Sequence, residues 1–240
     1  MKPRDDQDAW EAYPEHRWVF NKLEVALKLG YEAGPAAVPV KRSGPYIIRP
    51  LYNLYGMGIG ARRIYLRRDD KQAIEQHEFI PPGYFWCDFF EGIHYSIDLK
   101  YVYAGIKNEK SRWETISTSI GTREGDDLSI FDSWELVDEV PNIEIPSWFD
   151  QFQNVGIINI EVIGKHIIEI HLRAGNTEFD DCKVGTKLIP IFKNDPLNKL
   201  EKLQNQGFFF NDNYDKEIWH ASGHLNNARI GYFLCTPIIT

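Results

Sequence analysis

The sequence contains few cysteines and no long apolar run, and both absences narrow its class. Its three cysteines, Cys87, Cys182 and Cys235, are far apart and form no CxxC pair. This argues against a disulfide framework or a zinc knuckle and favours free, buried thiols in a reducing compartment. No segment approaches the length and hydropathy of a membrane span, and the N-terminal residues lack the apolar run of a signal peptide. We therefore expect a cytoplasmic protein without a membrane partner.

Excess basic charge and low-complexity sequence are also absent. The 27 lysines and arginines are outnumbered by 35 acidic residues, which gives a net charge of −8. This balance disfavours a general affinity for the nucleic-acid backbone. The 240 residues are 43% hydrophobic and 14% aromatic, and no internal repeat is visible. This composition predicts a globular chain with a sizeable core, arranged as one large domain or as two small lobes.

A predicted hairpin over residues 159–176 carries the strongest chemical signal. Strict alternation along residues 166–173 separates an apolar face, Ile168, Ile170 and Leu172, from a charged face, Glu169, His171 and Arg173. A tight turn at Gly164 and Lys165 would place Glu161, on the preceding strand, close to Glu169. Two carboxylates and an imidazole can hold a divalent cation, and Arg173 beside them can clamp a phosphate. The alternative is an ion-pair ladder on a solvated sheet face.

Other segments give a coarse outline of the fold. Residues 1–15 are predicted to form a loosely held arm, 16–29 a helix that Gly30 ends, and 196–206 a second helix. Strands are predicted at 46–50, 61–67, 85–90, 94–103, 113–119, 187–192 and 228–235, a short helix at 69–77, and an irregular acidic stretch at 121–146. On the strand 94–103, the polar face formed by His94, Ser96, Asp98 and Lys100 is expected to meet water, the alternative being a cavity lining.

Two further features have a functional and a plain interpretation. The glycines at 56, 58 and 60 lie between two predicted strands, where a glycine-rich turn can fold over a phosphate chain. A plain flexible hairpin explains the same pattern. His220 and His224 have the spacing of a metal-binding helix, but Ser222 and Gly223 between them disfavour that helix, so we interpret both histidines as structural.

The order of these features resembles the ATP-grasp superfamily. The run Glu169-Ile170-His171-Leu172-Arg173 is similar to its terminal Glu-x-Asn-x-Arg motif, and Glu161 to the acidic residue on the neighbouring strand. Asn21-Lys22 resembles the Asp-Lys pair at the start of a helix. Ile47-Ile48-Arg49-Pro50 resembles the strand before the glycine-rich loop, and the run from Cys87 to His94 resembles the nucleotide hinge. The resemblance covers residues 16–180.

The resemblance implies an α+β fold, ATP-grasp-like, in which two α+β lobes with antiparallel sheets enclose a nucleotide cleft. It divides the chain into an arm (1–15), the ATP-grasp-like region (16–180) and a C-terminal extension on the same body (181–240). It implies ATP and Mg²⁺ as cofactors and ligation of a small-molecule or peptide carboxylate to an amine through an acyl-phosphate. The implied cofactor-binding residues are Lys22, Arg49, Gly56, Gly58, Gly60, Asp88, Phe89, Phe90 and His94; the metal ligands are Glu161, Glu169 and His171; the catalytic residues are Arg173, Lys110 and Arg112.

Four departures from the family pattern leave other functions open. Arg49 replaces a lysine, Cys87 a glutamate of the hinge, His94 a ribose-binding acid, and His171 an asparagine. Histidine suits softer metals than magnesium. These changes allow a degenerate nucleotide-binding or scaffold protein without ligase activity, and an unrelated α+β binding module is the third possibility. Few residues precede the first matching helix, so the acceptor site is expected to come from the acidic middle segment, the C-terminal extension, or a partner chain in a homo-oligomer or other complex.

Overall fold

A four-stranded antiparallel sheet forms one side of the molecule. The computed structural model describes residues 3–36, 38–52, 60–68, 80–104, 111–128, 130–192, 195–206, 209–211 and 229–235. The small sheet has the order β1-β4-β2-β3 and consists of β1 (Ala33–Pro35), β2 (Gly44–Pro50), β3 (Arg62–Leu66) and β4 (Tyr84–Asp88). The predicted antiparallel pairing on either side of the glycine-rich run is confirmed, since Tyr46 pairs with Ile64.

An eight-stranded sheet forms the opposite side. Its order is β11-β12-β10-β7-β6-β5-β8-β9, and every pairing among the described strands is antiparallel. The strands are β5 (His94–Val102), β6 (Arg112–Thr122), β7 (Ser133–Val137), β8 (Ile157–Ile163), β9 (His166–His171), β10 (Lys187–Phe192), β11 (Phe209–Asn211) and β12 (Arg229–Cys235). β7 lies in the segment predicted to be irregular, so that prediction is wrong for residues 133–137.

The predicted helix over 16–29 is two elements. A 3-10 helix, Pro14–Phe20, is followed by α2 (Lys22–Lys28). Asn21 separates them because its backbone is extended and its side chain accepts a hydrogen bond from the Glu24 N–H at 3.3 Å, which makes it the cap of a new helix. Gly30 ends α2 as predicted: its φ is 80°, and the Tyr31 N–H reaches back to the Ala26 carbonyl at 3.0 Å.

The N-terminal segment is packed, contrary to the loosely held arm that the sequence predicts. Residues Asp6–Ala12 form α1, which Asp5 caps by accepting a hydrogen bond from the Asp8 N–H at 2.8 Å. Ala9 is fully buried, and the ring centroid of Trp10 lies 5.5 Å from that of Phe20. Apolar burial therefore holds this helix against the body of the protein.

The large sheet has one apolar and one polar face. The apolar face of β5, β8 and β9 packs against Val19, Val25, Phe149 and Phe152 to form the main core, and a 3-10 helix, Ser147–Phe152, contributes the two phenylalanines. On the other face His94, Ser96 and Asp98 are buried at 6%, 8% and 3% exposure. The expectation that this face meets water is wrong for these three residues, because His94 and Ser96 line a cavity and the Gly175 and Asn176 N–H groups cover Asp98. Lys100 is exposed, as expected.

Helix α2 connects the two sheets. Val25 belongs to the core of the large sheet, whereas Ala26 packs with Phe85 and Cys87 of β4. The predicted C-terminal helix is present as α3 (Leu197–Asn205), and Leu203 packs with Ile191 and Phe233. Within the described residues no helix is long and apolar enough to cross a membrane.

Replacing Gly92 by alanine should destabilise the fold. Gly92 has φ 137°, which side chains rarely adopt. A Cβ there would lie 3.0 Å from the Gly164 Cα, a backbone atom that cannot rotate away. We expect a loss of about 1–3 kcal/mol in the free energy of unfolding, measured by chemical denaturation. Gly125→Ala is the matched control, since a Cβ there meets nothing within 4 Å. Equal stability of the two variants would contradict this account of the turn.

Candidate active site

A cavity of about 530 Å³ separates the two sheets. The small sheet contributes Ile47, Arg49, Phe85 and Cys87 to its wall, and the polar face of the large sheet contributes residues of β5, β6, β8 and β9. Its volume lies in the range of ligand-binding pockets. Among the described residues, the cavity collects Lys22, Arg49, His94, Glu161, Glu169, His171 and Arg173, which the sequence singles out.

The hairpin formed by β8 and β9 brings its acidic pair together, as predicted. Glu161 lies opposite Glu169, and Asn159 lies opposite His171. A bulge follows Glu161 and shifts the alternation on β9. As a result Ile167 joins the core with Ile170 and Leu172, whereas Ile168 lines the cavity beside Glu169. The prediction that Ile168 shares the core face is therefore wrong.

Glu169 joins three separate parts of the chain. Its Oε1 accepts hydrogen bonds from Lys22 Nζ at 2.7 Å and from the guanidinium of Arg49. Lys22 is brought there because its backbone N–H donates to the Leu51 carbonyl at 2.9 Å, which holds the first turn of α2 against the end of β2. Burial lowers the pKa of Lys22, and Glu169 opposes that effect. Lys22 is 7% exposed, so its ammonium group is largely shielded from water.

His171 lies between three carboxylates. Its Nδ1 contacts Asp6 Oδ1 at 3.0 Å, and its Nε2 lies 3.6 Å from both Glu161 Oε1 and Glu169 Oε2. Burial opposes the charged imidazole, but the Asp6 carboxylate and hydrogen bonds to Asp6 and Glu161 raise the pKa of His171 to about 9. Burial would raise the pKa of Asp6, yet His171 and Arg173 hold it well below its usual range.

His94 supports Glu161 from the neighbouring strand. Its Nε2 lies 3.1 Å from Glu161 Oε2, and within the described part of the chain its buried Nδ1 has no hydrogen-bond partner. Burial would raise the pKa of Glu161, but hydrogen bonds from His171 and His94 bring it well below the usual value. Glu161 is therefore held ionised.

The three residues proposed as metal ligands fit one divalent cation. Glu161, Glu169 and His171 each offer one ligand atom, and these atoms lie within 4.8 Å of one another. Two carboxylate oxygens suit Mg²⁺ or Mn²⁺, whereas an imidazole nitrogen suits transition metals. The donor set is therefore mixed, and it includes a nitrogen where an all-oxygen site would be simplest for magnesium.

Comparisons with known proteins give the fold. No protein-family profile and no curated protein matches the sequence. Among solved structures, L-amino acid ligase from Bacillus licheniformis aligns with a TM-score of 0.52 and 11% identity, covering 92% of this chain and 67% of the other. N5-carboxyaminoimidazole ribonucleotide synthetase from Thermus thermophilus aligns with a TM-score of 0.52 and 10% identity, covering 92% and 68%.

A third structure extends the match over nearly the whole chain. N5-carboxyaminoimidazole synthase from Aspergillus clavatus, in complex with ADP and its ribonucleotide, aligns with a TM-score of 0.54 and 9% identity over 99% of this chain and 75% of the other. All three are ATP-grasp proteins. The chain has an ATP-grasp-like fold. The fold class predicted from the sequence is confirmed, although such low identity carries no information about activity.

The run from Cys87 to His94, which the sequence predicts to be a nucleotide hinge, lines the cavity at Asp88, Phe89 and Phe90. Asp88 accepts hydrogen bonds from the Glu32 N–H at 2.8 Å and from the Arg42 guanidinium, so its carboxylate holds the loop before β2 in place. The Arg63 guanidinium lies 4.7 Å from the centre of the Phe89 ring. Phe90 stacks on His166, with ring centroids 4.1 Å apart. The side chains of these three hinge residues are therefore occupied, and their cofactor-binding role stays a prediction.

Other sequence-predicted residues lie elsewhere. Arg112 is exposed, pairs with Glu114 and does not line the cavity. It lies opposite Val102, and Val102 is about 25 Å along β5 from His94. Gly60 has φ 86° and packs against Tyr84. The described residues do not include Gly56, Gly58, Lys107, Lys110, His220, His224 or the predicted helix at 69–77.

Sequence reasoning missed Asp6, Arg123 and a buried network centred on Asp98. Asp98 accepts hydrogen bonds from the Gly175 N–H at 2.8 Å, the Asn176 N–H at 3.1 Å and the Asn159 amide at 2.8 Å. This network fixes the loop that follows Arg173. The only signal in the sequence was that Asp98 and Asn159 each fall on the polar face of a predicted strand.

Replacing Asp98 by asparagine should weaken this network. The substitution is isosteric, but it replaces one of the two acceptor oxygens with an NH₂ group, so at least one loop N–H faces a donor in place of its acceptor. We expect a loss of about 1–3 kcal/mol in the free energy of unfolding, measured by urea denaturation. The exposed Asp126→Asn should change it by less than about 0.5 kcal/mol. A silent Asp98→Asn would show that the network contributes nothing to stability.

Proposed function

We propose that the chain binds ATP together with a divalent cation in the cavity and uses it to join a carboxylate to an amine through an acyl-phosphate. The observation that carries the proposal is the ion triad in which Lys22 and Arg49 share one oxygen of Glu169. Buried charges of both signs meet there at the wall of an open cavity. Nucleotide phosphates are anions that can replace Glu169 as the partner of Lys22 and Arg49, and a metal ion can then bind the Glu169 carboxylate.

The positions of these groups support a phosphate site. Lys22 and Arg49 come from α2 and the small sheet, whereas Glu161 and Glu169 come from the large sheet. A triphosphate between the sheets would therefore have cations on one side and metal-binding carboxylates on the other. A metal ion bound by Glu161 and Glu169, Mg²⁺ in the simplest case, would neutralise the phosphate charge during transfer. Structures of this fold in complex with ADP are consistent with such a ligand.

Apolar residues offer a place for the base. Ala26, Ile47, Phe85, Cys87 and Ile168 line the same cavity near the hinge. Together with the backbone at Phe89 and Phe90 they form a surface of the kind that receives a flat heteroaromatic ring. The nucleotide would then extend from the hinge toward Lys22, Arg49 and Glu169.

The acceptor side is proposed at the part of the cavity wall that the middle segment and β10 form. Arg123, Phe131 and Trp134 from the middle segment line it, with Leu188, Pro190 and Phe192 of β10. The Arg123 guanidinium lies 4.8 Å from the centre of the Phe131 ring, and burial lowers its pKa. A partly desolvated arginine is a suitable partner for a substrate carboxylate. The middle segment and the C-terminal extension, two of the three sources that the sequence suggests for this site, therefore both contribute residues to the cavity wall.

The proposed reaction has two steps. A substrate carboxylate oxygen attacks the γ-phosphorus and ADP leaves; an amine nitrogen then attacks the acyl carbon, phosphate leaves and the amine loses a proton. Arg173 lies at the same wall, where its guanidinium can stabilise the transferred phosphoryl group once it is released from Asp6. A partner chain and a cytoplasmic location stay predictions from the sequence.

One observation favours a second function. Glu169 is paired with Lys22 and Arg49, and Asp6 with Arg173 and His171, while Glu161 lies beside His171 and His94. Such a balanced network suits a protein that binds a nucleotide and turns it over slowly or not at all. This degenerate binder would show nucleotide binding without ADP release under any pair of acceptor substrates.

Isothermal titration of ATP with and without Mg²⁺ tests the proposal. We expect binding that the cation strengthens, and at least a tenfold loss of that cation effect in Glu169→Gln, because metal affinity depends on its carboxylate ligand. Glu114→Gln, at a partly exposed glutamate on β6, should bind like the wild type. Thermal melting of each variant separates lost binding from lost folding.

The results of this titration and of an activity screen distinguish a ligase from a degenerate nucleotide binder. ADP release in a screen of carboxylate and amine pairs would support the ligase, and binding without release would support the degenerate binder. A folded wild type that binds no nucleotide, with or without a divalent cation, would overturn both.

A further inference from the structure

Asp6 reaches the cavity from helix α1 rather than from either sheet. It is the first residue of α1, is 5% exposed and lines the cavity. Its Oδ1 accepts a hydrogen bond from Arg173 Nε at 2.8 Å, and both its oxygens lie within 3.1 Å of His171 Nδ1. The Asp5 cap and the buried Ala9 fix the helix, so the carboxylate has a defined position.

The contact with Asp6 determines which nitrogen of His171 faces the glutamates. A carboxylate accepts, so Nδ1 donates its proton to Asp6, and Nε2 faces Glu161 and Glu169 at 3.6 Å from an oxygen of each. A cation that binds Nε2 would displace the proton that this nitrogen carries in the imidazolium form. A carboxylate that holds one ring nitrogen of a metal-binding histidine orients the ring and increases the basicity of the other nitrogen. Without Asp6, no carboxylate would hold His171 Nδ1 and fix the orientation of the ring.

We propose that Asp6 is a positioning residue that presents His171 Nε2 as a cation ligand, and that the site therefore prefers a cation that accepts imidazole nitrogen, such as Mn²⁺ or Co²⁺, over Mg²⁺. The inference rests on the cation site of the proposed function and adds the identity of the cation. Affinity for nitrogen ligands rises from Mn²⁺ to Co²⁺, whereas Mg²⁺ favours oxygen. The α1 helix is then part of the site and sets its selectivity.

The competing arrangement is a protonated His171 that takes the place of a metal ion. In that case the imidazolium neutralises Glu161 and Glu169 permanently, and neither glutamate needs a cation. The two arrangements differ in whether a nitrogen of His171 is bonded to an added metal ion, which spectroscopy on the metal reports without any turnover.

The test uses the full chain with Mn²⁺, in the presence and absence of ADP. Electron spin-echo modulation of bound Mn²⁺ should show a directly coordinated ¹⁴N, and competition titrations should give at least about tenfold tighter binding of Mn²⁺ than of Mg²⁺. His171→Asn should remove the ¹⁴N signal and abolish the preference. Absence of the nitrogen signal in the wild type would overturn the proposal, as would its persistence in His171→Asn, which would place His94 at the metal ion.

Asp6→Asn tests the positioning role separately. It should weaken Mn²⁺ binding by about 10- to 100-fold while leaving Mg²⁺ binding nearly unchanged, because only the nitrogen ligand depends on Asp6. Asp8→Asn, at a partly exposed position of the same helix, is the control and should leave both affinities unchanged. Equal loss of both cations in Asp6→Asn would indicate a purely structural residue and contradict the proposal.

The inference and the proposed function can fail independently. Nucleotide binding supported equally by Mg²⁺ and Mn²⁺, without a ¹⁴N signal, would leave the proposed function in place and overturn the role of Asp6. Nitrogen-coordinated Mn²⁺ in a chain that binds no nucleotide would support the role of Asp6 and overturn the proposed function.

Discussion

The oxygen of Glu169 that Lys22 and Arg49 share is the contact on which the rest of the site depends. It ties β9 of the large sheet to α2 and to β2 of the small sheet, and all three side chains are largely buried. Transferring these charges from water costs several kcal/mol per ion, which only close pairing offsets. Removal of one partner would leave an uncompensated buried charge, so the two sheets are held at a spacing that keeps the triad together.

The same contact explains how a stable protein can keep an open polar cavity. The buried charges have partners of opposite sign within the protein. Glu169 is paired with Lys22 and Arg49, the cations that would bind phosphate. His171 lies between Glu161 and Glu169, the carboxylates that would bind a metal ion. A ligand that carries both an anionic phosphate chain and a cation can exchange these partners pairwise. Binding would therefore replace buried ion pairs by others and leave no charge unpaired.

Local patterns in the sequence were sufficient for the hairpin and its acidic pair. Alternation on β9 and the Gly164-Lys165 turn place Glu161 opposite Glu169, as observed, because register in a two-residue hairpin is set by neighbouring residues. The bulge that moves Ile168 into the cavity has no comparable local signature. The resemblance of motif order also gave the fold class, since that order follows the topology.

Long-range contacts were beyond such patterns. Asp6 reaches His171 across 165 residues of chain, and nothing in a short charged N-terminal stretch indicates a buried carboxylate. The burial of His94 and Ser96 depends on the cavity between the sheets, and that of Asp98 on the loop after Arg173. The alternation of a single strand reveals neither. Arg112 has a charge that suits catalysis, but it lies at the end of the β5–β6 hairpin that is remote from His94 and the cavity.

The most direct test of the central claim is a crystal structure with a non-hydrolysable ATP analogue and Mn²⁺, with the metal located by anomalous diffraction. The account predicts an anomalous peak about 2.0–2.3 Å from Glu161, Glu169 and His171 Nε2. It also predicts that Lys22 and Arg49 leave Glu169 for the phosphates. A structure in which the Lys22–Glu169–Arg49 triad stays intact, with the nucleotide bound elsewhere or not at all, would contradict it.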